Sequence, residues 1–358
     1  MDHSLVSIIC VLILGFFSHC LCDRLNLVGT NNNIFNVMQY GAHGDGKTDD
    51  AQAFLRAWNS TCAAQGSATL VIPANKIFLV TNLLFNGAWK DTSHWINIEY
   101  INGLTIDGTN TGGLDGHGST WWPCKTCPRP VVLSFHSCNK LNVNGLRISN
   151  SPGAHISING CDGATFSNVL VNSPGTSPNT DGFDISSSKN ILIKDSTIHA
   201  GDDCIAINGG SSYINATNVA CGPGHGISIG SLGKGKSHEE VEEVHVKNCS
   251  FTDTTNGARI KTFPGGSGFA RKITFEQIQL TNVKNAIIID QHYGIKIDAG
   301  FSGTGAGDLA INLNCESCLN IVLNKISIVP SQPKTQLHTI CKNFHGTITS
   351  TVPKVTCS

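Results

Sequence analysis

Short runs of β-branched and apolar residues recur along the middle of the chain. Each run is followed by a polar turn and then by a second strand-like run, as in Asn190–Lys194, Val244–Lys247 and Lys272–Phe275. Repeats made only of strands and turns cannot bury their apolar faces alone, but stacked as coils of a solenoid they bury one continuous core. The first runs of five successive repeats are His155–Ile158, Gly182–Ile185, Cys204–Ile207, Gly226–Ile229 and Gly257–Ile260.

The repeats favour an all-β chain that folds as a parallel β-helix. Leucine-rich repeats are the main alternative, but the leucine framework and the helical half of each such repeat are missing. We therefore expect one β-helix from about Asn36 to the C-terminal region, within a single domain over residues 23–358. A helix predicted over Thr48–Cys62 would cap its open end, with Asp49 or Asp50 as the N-cap. The apolar face of this helix would carry Phe54, Leu55 and Trp58.

The N-terminus predicts a secretory leader over residues 1–22. Leu5–Phe17 is apolar but too short to span a bilayer comfortably, and the small residues Ser18, Cys20 and Cys22 follow it. An N-terminal membrane anchor is the alternative. We expect cleavage near Cys22 and a secreted, extracellular protein that has no membrane contact after cleavage.

The cysteine count agrees with secretion. Of 15 cysteines, three lie in the leader, which leaves 12 (15 − 3), an even number as expected for disulfides in an oxidised protein. Zinc sites are the alternative for Cys124–Cys127 and Cys315–Cys318, but no histidine pair at finger spacing accompanies either pair. Three glycosylation sequons begin at Asn59, Asn215 and Asn248.

The charge balance excludes some partners. The formal net charge is −1 with 14 histidines, and no basic excess points to nucleic acid. Lower pH would make the protein cationic while sugar carboxylates stay ionised, which would suit a polyanionic ligand in an acidic compartment.

Three titratable residues hold the same place in consecutive repeats. Asp181, Asp203 and His225 each precede the first run of a repeat, at spacings of 22 (203 − 181) and 22 (225 − 203). Because stacked strands lie ~4.8 Å apart, their side chains should form a column on one face. In the next repeat Arg259 and Lys261 alternate with Ile260, so both should project outward on one side of the strand.

Such a column suits acid–base chemistry on an anionic substrate. Neighbouring carboxylates push their pKa values apart, so one can serve as an acid while another serves as a base. Two carboxyl groups of this kind are the usual equipment of glycoside hydrolysis, and adjacent Arg and Lys would hold an anion. A single Asp here would be better explained as a turn residue. Several charged groups in register over three or four coils favour a functional site.

Four motifs resemble the signatures of the polygalacturonases, glycoside hydrolase family 28, in that family's order. Gly41–Asp49 and Gly116–Trp122 also resemble segments of plant members. The resemblance implies a right-handed parallel β-helix with a single catalytic domain, and inverting hydrolysis of α-1,4-galacturonosyl bonds in polygalacturonate or pectin. It implies no cofactor and no metal, and we expect a monomer. The motifs are Asn179–Asp184, Gly201–Cys204, Gly224–Gly226 and Arg259–Lys261.

Roles follow from the resemblance residue by residue. Asp202 matches the general acid, Asp181 and Asp203 match the pair that activates water, and His225 matches the histidine that supports the acid. Asn179 would contact the sugar or orient Asp181. The residues matched to substrate binding are Arg259, Lys261 and Tyr293. The family also implies a Cys204–Cys221 disulfide, and we expect a Cys341–Cys357 disulfide in the C-terminal tail.

The pattern departs from the family after Tyr293. Residues 294–308 are glycine-rich and look about half a coil short, so one wall of the cleft could be altered. Three other readings therefore stay open: a relative that acts on rhamnogalacturonan or xylogalacturonan, a pectate lyase, and a catalytically impaired polysaccharide-binding wall protein. A lyase would need a calcium site and a basic proton acceptor.

Overall fold

The computed structural model describes residues 33–64, 68–79, 93–124, 126–293, 309–330 and 335–357. The expected leader (residues 1–22) and the expected shortened coil (residues 294–308) lie outside the described residues. Within the described part, no helix is long and apolar enough to cross a membrane.

Parallel strands build almost all of the described structure, and they form two large sheets. The first sheet has sixteen strands: β1 Asn33–Asn36, β2 Asp45–Asp49, β3 Ala68–Val71, β4 Ile77–Leu79, β6 Leu104–Asp107, β7 Gly113–Asp115, β9 Asn139–Asn144, β10 Arg147–Ser149, β12 Asp162–Ser167, β13 Leu170–Asn172, β15 Lys189–His199, β17 Ser211–Cys221, β19 His238–Lys247, β20 Ser250–Thr252, β22 Ser267–Glu276 and β23 Gln279–Thr281. The second sheet has ten: β5 His94–Glu99, β8 Val131–His136, β11 Ile156–Asn159, β14 Phe183–Ser186, β16 Ile205–Ile207, β18 Ile227–Leu232, β21 Asn256–Thr262, β24 Asn285–Asp290, β25 Leu309–Ser327 and β26 His338–Val352.

The ten-stranded sheet confirms the repeat register. The strand order β11, β14, β16, β18 and β21 aligns Ile185, Ile207 and Ile229 in three successive coils, all nearly inaccessible to solvent. Because side chains alternate along a strand, the residues directly before and after each of these isoleucines point outward. The chain is therefore a parallel β-helix, as the repeats predict.

Polar turns fix where the coils bend. Asp195, Asn218 and Asn248 stand in register with left-handed backbone angles, φ 51°, 55° and 54°. Asx residues tolerate this conformation better than most others. The Asn218 Nδ2 atom donates to Asp195 Oδ1 at 2.8 Å, and Asn248 Nδ2 donates to Asn218 Oδ1 at 2.6 Å. The amide of the third sequon thus belongs to a ladder between coils.

Helix α1, Ala51–Ala63, caps the first coils but begins later than predicted. Thr48 and Asp49 belong to β2 instead. The carboxylate of the N-cap residue Asp50 accepts the backbone N–H groups of residues 43 and 44 rather than capping the helix. Phe54 is buried and Trp58 packs on the core. Leu55 lines the same apolar cavity as Phe54 and Trp58, which confirms the predicted face, but it lies at the edge of that face and is 43 % exposed.

The two sheets do not end at the same coil. Within the described residues, β22 pairs only with β19 and β23 only with β20. The ten-stranded sheet continues through β24, β25 and β26. A second apolar cluster, around Ile311 and Leu313, packs beneath these last strands. Within the described residues, the sixteen-stranded sheet therefore ends before Tyr293, whereas the ten-stranded sheet continues after it.

Disulfides occupy four of the expected cysteine pairs. Cys204–Cys221 and Cys341–Cys357 are bonded, and so are the two pairs with zinc-ligand spacing, Cys124–Cys127 and Cys315–Cys318. The even count does not mean complete pairing, however. Cys138, Cys161 and Cys249 are buried thiols that pack in the core.

Phe166 sits at the centre of an aromatic stack inside the solenoid. Its ring lies 5.8 Å from that of Phe135 and 5.4 Å from that of Phe183, both in edge-to-face geometry. We predict that Phe166→Ala lowers the free energy of unfolding by about 3–5 kcal/mol, because it leaves a cavity that rigid coils cannot close. Urea denaturation measures this, with the exposed Leu55→Ala as the control. Equal losses in the two variants would contradict the prediction.

Candidate active site

Strand register brings the predicted column together. Phe183, Ile205 and Ile227 are aligned in three successive coils, so Asp181, Asp203 and His225, two residues before them, occupy one edge of the ten-stranded sheet. Backbone bonds maintain the alignment: the N–H of His225 donates to the carbonyl of Asp202 at 2.7 Å.

Asp203 is the buried centre of this group, with its side chain 1 % exposed. One carboxylate oxygen accepts Ser228 Oγ at 3.0 Å and Arg259 Nη2 at 2.5 Å. The other oxygen accepts Lys261 Nζ at 2.7 Å. A buried carboxylate is unfavourable unless paired and hydrogen-bonded, and this one has both kinds of partner. Arg259 and Lys261, which project from β21 as predicted, therefore hold Asp203 in place.

Asp202 lies beside Asp203 but is more open, with its side chain 22 % exposed. Its Oδ1 atom lies 2.9 Å from His225 Nδ1 and 2.9 Å from the Asp203 N–H. Its Oδ2 atom accepts Asn179 Nδ2 at 3.3 Å. Burial acts to raise the pKa of Asp202, but the hydrogen bond and charge of His225, with the charge of Lys261, outweigh it and lower the pKa below 3.8.

Asp181 differs from its neighbours in its electrostatics. Burial raises the pKa of Asp181 well above 3.8, and the negative charges of Asp202, Asp203 and Asp184 raise it further. Asp184, in the next outward position of β14, accepts Asn208 Nδ2, and burial raises its pKa as well. Burial and the neighbouring negative charges therefore favour the protonated form of Asp181, whereas His225 and Lys261 favour the ionised form of Asp202, the residue matched to the general acid.

Tyr293 lies three residues after the end of β24 at Asp290. Lys261 Nζ lies 5.3 Å from the centre of its ring, and the ring of Phe263 packs against it in edge-to-face geometry at 5.2 Å between ring centres. The backbone N–H of Tyr293 donates to the carbonyl of Thr262 at 3.1 Å. The structure thus brings all the predicted site residues into one region. Asn179 contacts Asp202, however, rather than Asp181.

Comparison with known proteins assigns the family. Residues 59–351 match the Glycosyl hydrolases family 28. A probable polygalacturonase of Arabidopsis thaliana is 41 % identical over 92 % of this chain and 81 % of its own length. Polygalacturonase-2 of Solanum lycopersicum is 35 % identical over 89 % of this chain and 82 % of its own length. The chain belongs to glycoside hydrolase family 28.

Solved structures agree with the fold of this family 28 chain. An endo-xylogalacturonan hydrolase from Aspergillus tubingensis superposes with a TM-score of 0.64 at 23 % identity, covering 91 % of this chain and 98 % of that one. A polygalacturonase from Erwinia carotovora gives a TM-score of 0.63 at 21 % identity, covering 92 % and 96 %. At these identities the likeness concerns the fold alone.

The positive charges in this family 28 site disfavour the binding of a metal ion. Ligand atoms of Asp202, Asp203 and His225 lie within 4.8 Å of one another, close enough to share one cation. Both oxygens of Asp203 are already bonded to Arg259 and Lys261, whose positive charges repel a cation. The side chains present therefore fit an anionic ligand better than a metal.

Sequence reasoning missed two residues that support the site. His155 is fully buried beneath Asp181, with Nδ1 2.9 Å from the Asp181 carbonyl and Nε2 2.8 Å from Ser173 Oγ. Burial lowers its pKa to about 4, so it stays neutral while it holds this carbonyl. Arg129 donates to Asn179 Oδ1. His155 opens one of the repeats, and this position predicts only a strand residue, while no motif marks Arg129.

The disulfide beside the site should stabilise this family 28 chain measurably. Cys204 follows the acid pair and its bond to Cys221 closes a loop with a sequence separation of 17. We predict that the Cys204→Ala/Cys221→Ala double variant loses about 3 kcal/mol of unfolding free energy, because the unfolded chain regains loop entropy. The Cys124→Ala/Cys127→Ala pair is the control, since its separation is only 3 and its loss should be smaller. Equal losses would contradict the explanation.

The raised pKa of Asp181 predicts a stability change with a definite sign. A carboxyl whose pKa is higher in the folded state binds more protons there, so its contribution to stability falls as pH rises above the unfolded value of about 3.8. Asp181→Asn should therefore raise the melting temperature at pH 7 and change it little below that value. The exposed Asp162 has a lowered pKa, so Asp162→Asn should have a small effect of opposite sign. A lower melting temperature for Asp181→Asn at pH 7 would refute the assignment.

Proposed function

We propose that the protein is a secreted enzyme that hydrolyses the α-1,4-galacturonosyl bonds of polygalacturonate. The observation that carries the proposal is the convergence of three carboxylates with Arg259 and Lys261 at one edge of a continuous sheet. Carboxyl pairs of unequal pKa are the equipment of glycoside hydrolysis, and clustered cations suit a substrate with a carboxylate on each sugar. The plant relatives carry the name polygalacturonase.

In the proposed reaction Asp202 donates a proton to the leaving oxygen, while Asp181 and Asp203 activate water. The motif match and the exposure of Asp202 support this assignment, since Asp203 is locked by two cations. The lowered pKa of Asp202 beside His225 and Lys261 opposes it. A bound sugar carboxylate would attract Arg259 and Lys261 and displace water, and both effects raise the pKa of Asp202.

Polygalacturonate is the substrate to test. We predict that the enzyme releases reducing ends from polygalacturonate at acidic pH and leaves fully methyl-esterified pectin almost uncleaved, because the ester lacks the charge that Arg259 and Lys261 bind. Changing the substrate is a more specific test of the charge argument than replacing Lys261, because loss of Lys261 would also remove a hydrogen-bond partner of buried Asp203. Products that absorb in the ultraviolet would indicate a lyase, and binding without cleavage would indicate a catalytically impaired wall protein. Equal cleavage of both polymers would refute the charge argument.

Two substrates can identify the proton donor. We predict that Asp202→Asn lowers turnover of polygalacturonate about 10²–10⁴-fold, the usual contribution of acid catalysis. On an aryl galacturonide, whose leaving group needs no proton, the same variant should lose much less. Asp181→Asn should lose activity on both substrates, because water activation is needed for each. The opposite pattern would make Asp181 the acid, and proton NMR of the first-formed anomer tests inversion independently.

A further inference from the structure

Arg129 lies just before β8 and contacts the site through one residue. Its Nη2 atom donates to Asn179 Oδ1 at 2.5 Å. Its Nη1 atom is buried and, among the described residues, has no hydrogen-bond partner. A buried unpaired nitrogen on a charged group is rare and unfavourable in folded proteins. Its presence beside the catalytic carboxylates points to a task other than stabilising the fold.

The hydrogen bond from Arg129 determines which way the side-chain amide of Asn179 is oriented. Asn179 has a left-handed backbone, φ 54°, which places its side chain between Arg129 and Asp202. A guanidinium has only donors, whereas an amide has an acceptor end and a donor end. Arg129 can therefore bind only the oxygen of the amide, and the NH₂ group is left to face Asp202 Oδ2.

The orientation of the Asn179 amide determines whether a donor or an acceptor faces Asp202. Its described partners are His225 Nδ1, the Asp203 N–H and Asn179 Nδ2, and with Nδ1 protonated all three are donors. A flipped amide would turn an acceptor toward Asp202. That acceptor would repel the carboxylate, and it would bind the proton of the carboxylic acid that the leaving oxygen needs. A donor at Oδ2 leaves that proton available to a ligand.

We propose that Arg129 is a positioning residue for the proton donor, acting through Asn179 by fixing which end of its amide faces Asp202. The inference rests on the proposed function, because it takes Asp202 as the group that protonates the leaving oxygen. Arg129 itself does not touch the reacting atoms in this arrangement.

Arg129→Met removes both donors and the charge while it keeps much of the side-chain stem. On polygalacturonate we expect kcat to fall about 10-fold with KM changed less than about 3-fold, because the proposed effect acts on proton transfer in the transition state. Arg129→Lys should restore part of kcat. Arg147→Met is the matched control: Arg147 is exposed on β10, donates to the carbonyl of Asn110 and should leave kcat within about 2-fold. Melting temperatures check that each variant is folded.

A double-mutant cycle with Asn179→Ala separates the route from a direct effect. If Arg129 acts through Asn179, Arg129→Met should change kcat less than about 2-fold in the Asn179→Ala background. Equal losses in both backgrounds would overturn the proposal and would make Arg129 an independent substrate-binding residue. A kcat unchanged by Arg129→Met would overturn it as well.

A measurement that does not depend on turnover can test the role of Arg129 separately from the proposed function. Carbon-13 titration of the Asp202 carboxyl should show a higher pKa in Arg129→Met than in the wild type, by about half to one unit, because the oriented donor is lost. In the Asn179→Ala background Arg129→Met should add no further rise. A further rise of the same size would mean that the arginine charge acts alone and would refute the proposal. Failure of the wild type on polygalacturonate would reject the proposed function while this titration still decides the role of Arg129.

Discussion

Backbone hydrogen bonds between successive coils determine where every functional side chain lies. Each coil supplies one short strand to the ten-stranded sheet, and the parallel pairing holds Phe183, Ile205 and Ile227 in line. Residues distant in sequence therefore become neighbours at the spacing of two strands, about 4.8 Å. The site depends on this register, since a slip of one residue would turn the outward column into the core.

Charge balance within the column follows from that spacing. Four aspartates in adjacent coils would repel one another strongly if all were ionised. Arg259 and Lys261 neutralise the deepest one, Asp203, and His225 stabilises the negative form of Asp202. Burial and the charges of the neighbouring aspartates instead raise the pKa of Asp181, and the charge of Lys261 offsets only part of this. The unequal environments arise from position in the stack and not from any difference in residue type.

The sequence predicted the coils and the column because both depend on spacing. A constant interval of 22 between Asp181, Asp203 and His225 carries the same information as the strand register. The start of α1 was misplaced because Thr48 and Asp49 suit either a strand or a helical first turn, and pairing with β4 decides between them. Contacts across loops were not predictable: Arg129 and Asn179 are 50 residues apart with no repeat relating them. Nor did spacing reveal that Arg259 and Lys261 bind Asp203.

Within the described residues the two sheets end at different coils, so the two walls of the solenoid differ in length. In a regular solenoid the two walls would have the same length. The wall that bears the carboxylates runs on through β24, β25 and β26, whereas in the described residues the opposite wall stops at β22 and β23. Asp181, Asp203, Arg259 and Lys261 all precede the point at which the two walls part, so the strand pairs that align them are complete before the walls differ in length.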